Sequence, residues 1–472
     1  MSTLPAPHKL TRGKVRSAKA DAPSSPPKSV SLSGLSAVSK YSTIVVDSGD
    51  LALIRKLQAE DATTNPSLLL QSIDVEETGS ILQKSLLYGC LLRQIIPFML
   101  DSTNAAPNIF AEIQQKFSKQ SLEAAEIADA YYELQPFVLN LIETLDEAQK
   151  IHQEIQYENL RNSASEVELL QNEESIDVSD QARRDESSRK YLSSLQNIEK
   201  SLKDRRENML KLLMSEIITE LTIDYFMVLM GCEILKTIPG MISTEVPPKY
   251  SFSVQGSTDK GRRLISLYAR EGVSKDRVLI KLAATWEGIR AAKILEHAGI
   301  RCNMTLLFSL PQAIAAADAK ATLISPFVGR IMDWYKANEP TRRIDGAHDP
   351  GVQSVVEIYK YYKKFGYKTI VMAASFRNVD EILNLVGCDK LTISPKLILE
   401  LEGMSTLPVQ KLSVDMDFGN IEKIHLDEEK FRWMLNENRM ATEKLSDGIR
   451  KFHSDYKALC EIIRERLSEC NA

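Results

Sequence analysis

A single lysine interrupts an apolar run in Val278-Leu279-Ile280-Lys281-Leu282-Ala283-Ala284-Thr285-Trp286. The small and β-favouring residues predict a fully buried strand, and Gly288 with the apolar stripe beyond it predicts a following helix. An ammonium group in such a strand carries a desolvation cost on the order of several kcal/mol unless it is paired or neutral. Burial favours the neutral amine, which is the form that attacks a ketone to give a Schiff base. The alternative is a structural lysine that reaches a rim or pairs with a buried carboxylate.

Length and composition bound the class of protein. The chain has 472 residues, of which 43% are hydrophobic, so it can build a large core. Its longest apolar runs fall short of the roughly 18 residues that a membrane helix needs. A net charge of -5 gives no global case for nucleic-acid binding. The six cysteines form no CxxC pair, which favours reduced thiols in an intracellular protein, and the six histidines show no metal-ligand spacing. We therefore expect no nucleic-acid partner, no membrane and no metal.

Residues 1–40 differ in composition from the rest of the chain. They are rich in Ser and Pro, carry several bases and contain one acid, Asp21. Such a segment cannot bury enough surface to offset its chain entropy, so we predict a disordered tail. Ser-rich, basic and acid-poor sequence also fits an organelle targeting peptide, although the prolines oppose an amphipathic helix. A cytoplasmic location is the prediction, and organelle targeting by residues 1–40 is the alternative.

From Tyr41 onward, short apolar strands alternate with segments of helical periodicity. The predicted strands are 43–46, 62–64, 242–246, 278–282, 303–307, 322–324, 369–372 and 390–393. Helical spacing lies between most of them, for example over 289–297, 311–319 and 352–365. Eight strands alternating with helices predict an α/β fold, the (β/α)8 TIM barrel.

One connection is far longer than a βα unit needs. About 180 residues separate Asn65 from Glu245, where roughly 30 to 50 would suffice. The excess has a helical pattern, so we predict a helical insertion over residues 91–205, between strands two and three. The barrel would then comprise 41–90 and 206–472. Both junctions are expected on the helical ring or the amino-terminal side, away from the chemistry.

Polar residues collect where the predicted strands end, which is where catalytic groups of a TIM barrel lie. They include Asp47, Asn65, Glu245, Lys281, Asn303, Thr305, Ser325, Arg330, Ser375 and Arg377. A buried lysine and nearby carboxylates can form an iminium and move protons as a neighbouring carbon–carbon bond breaks. The arginines can hold a phosphate bidentately, unless they are rim charges paired with acids.

The sequence around these residues resembles the transaldolase family. The matching blocks, in family order, are VDSGD, DATTNPSL, ISTEV, VLIKLAATWEG, CNMTLLFS, LISPFVGRI, ASFRN and LTISP. The similarity extends into KLSDGIRKF, which begins at Lys444. The blocks cover nearly all of the predicted barrel.

The resemblance implies roles for four catalytic residues. Lys281 matches the Schiff-base lysine. Asp47 matches the aspartate that acts as acid and base toward the C4 hydroxyl, although it could otherwise cap a helix. Glu245 and Thr305 match the pair that positions a water for forming and hydrolysing the iminium.

The resemblance also implies two groups of substrate contacts. The groups that match contacts to the dihydroxyacetone portion are Asn65, Asn303 and Ser325. The groups that match the phosphate-binding end are Arg330, Ser375 and Arg377. Phe327 matches the phenylalanine of transaldolases, where the related fructose-6-phosphate aldolases carry tyrosine.

The resulting hypothesis is an active transaldolase. It would transfer a dihydroxyacetone unit from sedoheptulose 7-phosphate to glyceraldehyde 3-phosphate, and it needs no cofactor because the iminium is the electron sink. One alternative is a catalytically silent scaffold on the same barrel, whose insertion binds a partner protein. Another is a hydrolytic or simple aldolase relative. The implied partners are small sugar phosphates, and a homodimer and a protein partner for the insertion are left open.

Overall fold

The computed structural model describes residues 33–101, 150, 154, 178–405 and 408–469. Eight parallel strands close into a barrel in which each strand pairs with its neighbours in sequence and β8 pairs with β1. The strands are β1 Thr43–Asp47, β2 Asp61–Thr63, β3 Ile242–Glu245, β4 Val278–Ala283, β5 Cys302–Leu307, β6 Leu323–Pro326, β7 Ile370–Ala373 and β8 Lys390–Ile393. The predicted (β/α)8 fold is confirmed, and every predicted strand lies within two residues of an observed one.

Helices alternate with these strands and form the outer layer. They are α1 Gly34–Val38, α2 Leu51–Leu57, α3 Pro66–Ser72, α4 Gly79–Asp101, α5 Val178–Leu235, α6 Val254–Arg270, α7 Trp286–His297, α8 Leu310–Asp318, α9 Gly329–Asn338, α10 Pro350–Lys364, α11 Val379–Leu383, α12 Pro395–Glu402, α13 Glu428–Glu437 and α14 Arg439–Glu469. None of the described helices is long and apolar enough to cross a membrane.

The interior of the barrel changes from apolar to polar along the strands. Its apolar layer consists of Val45, Leu279, Leu323 and Met372. Because side chains alternate between the two faces of a strand, the residues two positions later on these strands face the same interior. Asp47, Lys281 and Ser325 are therefore stacked above the apolar layer, toward the carboxyl ends of the strands.

Helix α14 closes one side of that carboxyl-terminal end. Its Leu445, Ile449 and Phe452 form a second apolar cluster with Phe308 and Phe327, which follow β5 and β6. The cluster lies apart from the main core between the strands and the helical ring. Helix α14, the last of the described helices, thus packs against the loops that carry chemistry.

Residues 33–40 correct the predicted amino-terminal tail. Helix α1 begins after Ser33, whose side-chain oxygen accepts the N–H of Ser36. Ala37 and Val38 are buried, and the Gly34 N–H donates to the carbonyl of Met404. The tail prediction is therefore wrong at its carboxyl end, because two apolar residues there find a docking site against α12. Residues 1–32 lie outside the described part.

The helices that lead into and out of the predicted insertion are partly core elements. In α4, Leu91, Leu92, Ile95 and Ile96 are buried in the main core, although they fall within the predicted 91–205 segment. Residues 102–149, 151–153 and 155–177 lie outside the described part, so the division into domains stays a prediction.

Helix α5 runs antiparallel to β3 and ends near the amino-terminal end of that strand. Its Asp224, fully buried, binds Lys260 and Arg263 on α6 at 2.6 and 2.8 Å. One turn earlier, Glu220 contacts Lys249, which follows the carboxyl end of β3. Glu220 therefore lies level with the catalytic end of the barrel.

The remaining 42 residues of α5, 178–219, extend beyond that level by about 60 Å at the usual helical rise. Leu212, for example, is 69% exposed. The junctions were expected on the helical ring or the amino-terminal side. Helices α4 and α5 do belong to the helical ring, but the amino-terminal side does not fit, because a helix that ends at the start of a strand must begin at the opposite end of the barrel. The insertion joins the barrel on the side of the strand ends.

Candidate active site

Lys281 lies at the floor of a cavity at the carboxyl ends of the strands. It is 4% exposed and is in register with Glu245 on β3 and Asn303 on β5. The Nζ atom lies 3.0 Å from Glu245 Oε2 and donates to the carbonyl of Thr64 at 3.1 Å. The lysine is therefore both paired with a buried carboxylate and exposed to the cavity, so the pairing does not exclude a chemical role.

Glu245 and Thr305 flank this lysine. Burial raises the pKa of the Glu245 carboxyl, while the nearby Lys281 ammonium opposes that rise. Thr305 Oγ1 is buried, lines the cavity and has no hydrogen-bond partner among the described residues. A carboxyl inclined to hold a proton and an unengaged hydroxyl can together hold and activate a small polar molecule beside the amine.

Asp47 occupies the opposite wall, at the end of β1. It accepts a hydrogen bond from Thr63 Oγ1 at 2.7 Å, and that hydroxyl lies 2.9 Å from Thr392 Oγ1 on β8. The helix-capping alternative does not hold for Asp47, because Asp50 is the residue that caps α2 by accepting the N–H of Leu53. The carboxylate of Asp47 is thus held in place by a hydroxyl and faces the cavity.

The three predicted dihydroxyacetone contacts do not all reach the cavity. Asn65 and Ser325 line it, and the Asn65 side-chain oxygen also caps α3 by accepting the N–H of Leu68. Asn303 is fully buried below them. Its amide donates to Ser243 Oγ at 3.0 Å and accepts from Ser325 Oγ at 2.6 Å. In this structure Asn303 therefore orients Ser325 from behind.

Arg330 forms the cationic end of the cavity. Its guanidinium stacks between the rings of Phe327 and Phe452, with its central carbon 4.9 and 5.1 Å from their centroids. It makes no hydrogen bond or ion pair to the part of the chain that the structure describes. Burial, followed by the charge of Arg377, lowers the pKa of Arg330. A desolvated guanidinium with unengaged donors is suited to binding an anion.

Arg377 is placed differently from Arg330. Its side chain is 39% exposed and forms an ion pair with Asp333 at 2.9 Å. It also donates to Ser375 Oγ at 3.3 Å. Ser375 lines the cavity with a left-handed φ of 61°, which is costly for a non-glycine residue and fixes the turn after β7. Arg377 is therefore a rim residue here, as the paired-acid alternative expects.

The complete cavity encloses about 370 Å³, including solvent at its mouth. It is lined by Asp47, Thr63, Asn65, Lys281, Thr305, Ser325, Phe327, Arg330, Ala374, Ser375, Thr392 and Phe452. The sequence reasoning missed Thr63, Thr392, Ala374 and Phe452 as lining residues. All four lie in or beside blocks that resemble the family, so the resemblance could have located them. None of the four side chains is charged, so nothing in the residue types marked them as functional.

The cavity has three chemically distinct parts. An amine and a carboxyl meet at the floor, a second carboxylate with a hydroxyl donor stands on one wall, and a guanidinium closes the other end. A molecule with a carbonyl at one end, a hydroxyl in the middle and a phosphate at the other would meet a matching group at each position.

Comparisons with known proteins agree with this chemistry. A family model described as Transaldolase/Fructose-6-phosphate aldolase matches residues 189–463. A probable transaldolase of Drosophila melanogaster is 56% identical over 255 residues, covering 54% of this chain and 77% of that protein. The transaldolases of Rattus norvegicus and Homo sapiens are 58% and 57% identical over 247 residues, covering 52% of this chain and 73% of each protein. The range matched by the family model contains β3 to β8 and leaves β1 and β2 outside.

Proposed function

The chain belongs to the transaldolase/fructose-6-phosphate aldolase family, and from that premise we propose a reaction and a role for each cavity residue. Its function is that of a transaldolase, a transferase that acts on sugar phosphates. The proposed reaction moves a dihydroxyacetone unit from sedoheptulose 7-phosphate to glyceraldehyde 3-phosphate, which gives erythrose 4-phosphate and fructose 6-phosphate. The relatives are transaldolases, so nothing favours the silent-scaffold alternative.

In the first half-reaction, the Lys281 amine adds to the C2 carbonyl of the donor. Proton transfers convert the resulting carbinolamine into an iminium and release one water. Glu245, whose pKa burial raises, and Thr305 would hold that water beside the nitrogen. The 3.0 Å separation of Lys281 Nζ and Glu245 Oε2 supports direct proton exchange between them.

Cleavage then breaks the bond between C3 and C4. Asp47 takes the proton of the C4 hydroxyl, C4 leaves as the aldehyde carbon of the first product, and the bonding electrons move into the iminium to form an enamine. The enamine carbon attacks the acceptor aldehyde, and Asp47 returns the proton to the new hydroxyl. Water hydrolyses the regenerated iminium. Arg330 and Ser375 would hold the phosphate of the donor until it leaves with the first aldehyde, and then the phosphate of the acceptor.

One observation carries this proposal. Lys281 on β4, Asp47 at the end of β1 and Arg330 at the start of α9 line a single cavity. A structural lysine would need only its partner Glu245, whereas the cavity adds a second carboxylate and an unengaged guanidinium. Phe327, which stacks on Arg330, favours transfer over simple aldol cleavage through the family resemblance.

Borohydride trapping tests the Schiff base and the cleavage step together. The protein is incubated with fructose 6-phosphate without acceptor, reduced, digested and measured by mass spectrometry. We expect a three-carbon adduct on the peptide that contains Lys281, because the phosphorylated three-carbon aldehyde leaves before reduction. The Lys281→Met variant, with matching melting curves, should show none.

Two results would overturn the proposal. Absence of any adduct on folded wild-type protein would refute the Schiff base. A six-carbon adduct alone would mean that the amine forms an imine but that the site does not break the C3–C4 bond. Production of erythrose 4-phosphate from sedoheptulose 7-phosphate and glyceraldehyde 3-phosphate identifies the substrates directly.

A further inference from the structure

Two buried carboxyl groups lie behind the turn that carries Ser375 and Arg377. Glu381, in α11, is 1% exposed, and Asp349, which caps α10, is 3% exposed. Glu381 Oε2 accepts the backbone N–H of Arg377 at 2.6 Å. Asp349 Oδ1 accepts the backbone N–H of Gly351 at 2.7 Å. Glu381 therefore fixes the turn after β7, and Asp349 fixes the first turn of its own helix, α10.

The two carboxyls lie close enough for their charges to influence each other. Glu381 Oε1 is buried without a hydrogen-bond partner among the described residues. Ionised carboxylates repel each other and only accept hydrogen bonds, so a proton on one of them relieves both penalties. Burial, reinforced by the charge of Asp349, raises the pKa of Glu381 to about 7, and burial also raises the pKa of Asp349.

This pair connects both loops at the cationic end of the cavity. The start of α10 packs so closely beneath Val328 that a Cβ on Gly351 would lie 2.2 Å from the Val328 carbonyl oxygen. The N–H of Gly329, the residue before Arg330, donates to the carbonyl of Ser375 at 3.0 Å. The loop before Arg330 is thus bonded to the turn that carries Ser375. That turn is bonded to Glu381, and the loop packs on the helix that Asp349 caps.

We propose that Glu381, through the bond it accepts from the Arg377 N–H, is a positioning residue that holds the Ser375–Asn378 turn in its phosphate-binding geometry. The inference rests on the proposed function, because it assigns a phosphate to this turn. Loss of a proton held on Glu381 would place two negative charges near each other in a buried site and push the turn outward. The other charges that face the pair are Arg377, from the turn, and Lys336, from α9.

The test compares Glu381→Gln with Glu381→Ala. Glutamine can accept from the Arg377 N–H and donate to Asp349, so it imitates the protonated acid permanently. Asp380→Asn is the matched control, because it removes a carboxylate from the neighbouring, exposed position of the same helix. KM and kcat are measured with glyceraldehyde 3-phosphate and with glyceraldehyde as acceptors, from pH 6 to pH 8, with the donor saturating.

We expect Glu381→Ala to raise the KM for glyceraldehyde 3-phosphate by about tenfold, the usual effect of losing a hydrogen bond in a charged site. The KM for glyceraldehyde should stay unchanged. In wild type the KM for the phosphorylated acceptor should rise with pH, and Glu381→Gln should keep it low and level. If Glu381→Ala does not fold, the pH profiles of KM for wild type and Glu381→Gln are sufficient to test the proposal.

The proposal is overturned if glutamine behaves like alanine, if both acceptors lose affinity equally, or if Asp380→Asn reproduces the effect. Melting curves separate this failure from failure of the proposed function. A raised folded-state pKa stabilises the fold at low pH, and that contribution disappears as pH rises through about 7. Wild type should therefore lose melting temperature relative to Glu381→Gln between pH 5.5 and pH 8, whether or not the protein turns over sugar phosphates. Parallel curves would refute the protonation of Glu381 in the folded protein.

Discussion

Replacement of Arg330 by methionine should weaken the binding of phosphorylated substrates much more than replacement of Arg377 by alanine. The family resemblance assigns both arginines to the phosphate-binding end, but their surroundings in the structure differ. Arg330 is stacked between two phenylalanine rings without an ion pair to the described residues, whereas Arg377 is 39% exposed and already bound to Asp333. Methionine keeps the packing volume between the rings and removes only the charge and the donors.

The magnitude follows from these environments. A charge-assisted hydrogen bond in a desolvated site contributes about 1.5–3 kcal/mol, so Arg330→Met should raise KM for a sugar phosphate by roughly 10- to 150-fold. An exposed, screened pair contributes about 0–1 kcal/mol, and Arg377 must also exchange Asp333 for the phosphate. Its alanine variant should therefore raise KM by about fivefold at most. Arg330→Lys should fall between wild type and Arg330→Met, because it keeps the charge without the guanidinium fork.

Steady-state kinetics with glyceraldehyde 3-phosphate and glyceraldehyde measure this ranking. The penalty at Arg330 should be confined to the phosphorylated acceptor. If Arg377→Ala raises KM as much as Arg330→Met does, the turn after β7 must close on the substrate and release Asp333. The ranking of the two arginines would then be wrong. If Arg330→Met impairs both acceptors equally, its role is to hold the aromatic rings in place.

Three further perturbations address other parts of the molecule. Thr63→Val removes the donor to Asp47 and should lower kcat by about three- to tenfold with little change in KM; an unaltered kcat would mean that the hydroxyl does not hold the base. Asp224→Ala removes a carboxylate that Lys260 and Arg263 share, while Glu220 still pairs with Lys260, and should cost about 1.5–3 kcal/mol in urea unfolding, so a loss below about 1 kcal/mol would contradict the anchoring role of this network. Replacing residues 102–205 by a Gly/Ser linker should preserve turnover, and a soluble, folded deletion without activity would show that the insertion reaches the active site.

The barrel was predictable because its strands are buried on both faces. Near-continuous apolar runs such as Val278–Ala283 mark a parallel strand strongly, and a helix-length segment must follow each one. The strand at 62–64 was the weakest prediction, because Thr63 and Thr64 are polar, and the alternation of the neighbouring elements located it.

Placement within the cavity was less predictable. Period-two alternation shows that Lys281 and Asn303 face the same interior, but it does not show their depth relative to the substrate. Depth follows from the stagger of the strands around the closed barrel, which pairs Lys281 with Asn303 and lets Ser325 stand in front of the latter. The exposure of Arg377 depends likewise on Asp333, a long-range partner that a single sequence does not reveal.

The side of the barrel from which the insertion extends could not be predicted from the sequence alone. The sequence indicated helices, but the continuity of α5 over 58 residues decides where they point. A rigid helix that ends at the base of β3 has to rise past the opposite end, whatever its outer part contacts.

The contribution of α14 to the cavity bears on how the enzyme matures during synthesis. Asp47 emerges from the ribosome early, whereas Phe452, which completes the cage around Arg330, belongs to the last helix. A nascent chain can pair its strands and bury its lysine before that helix exists, but it then lacks one wall of the anion-binding end. The anion-binding end of the cavity would thus be complete only after α14 has docked, so affinity for phosphorylated sugars would come later in folding than closure of the barrel.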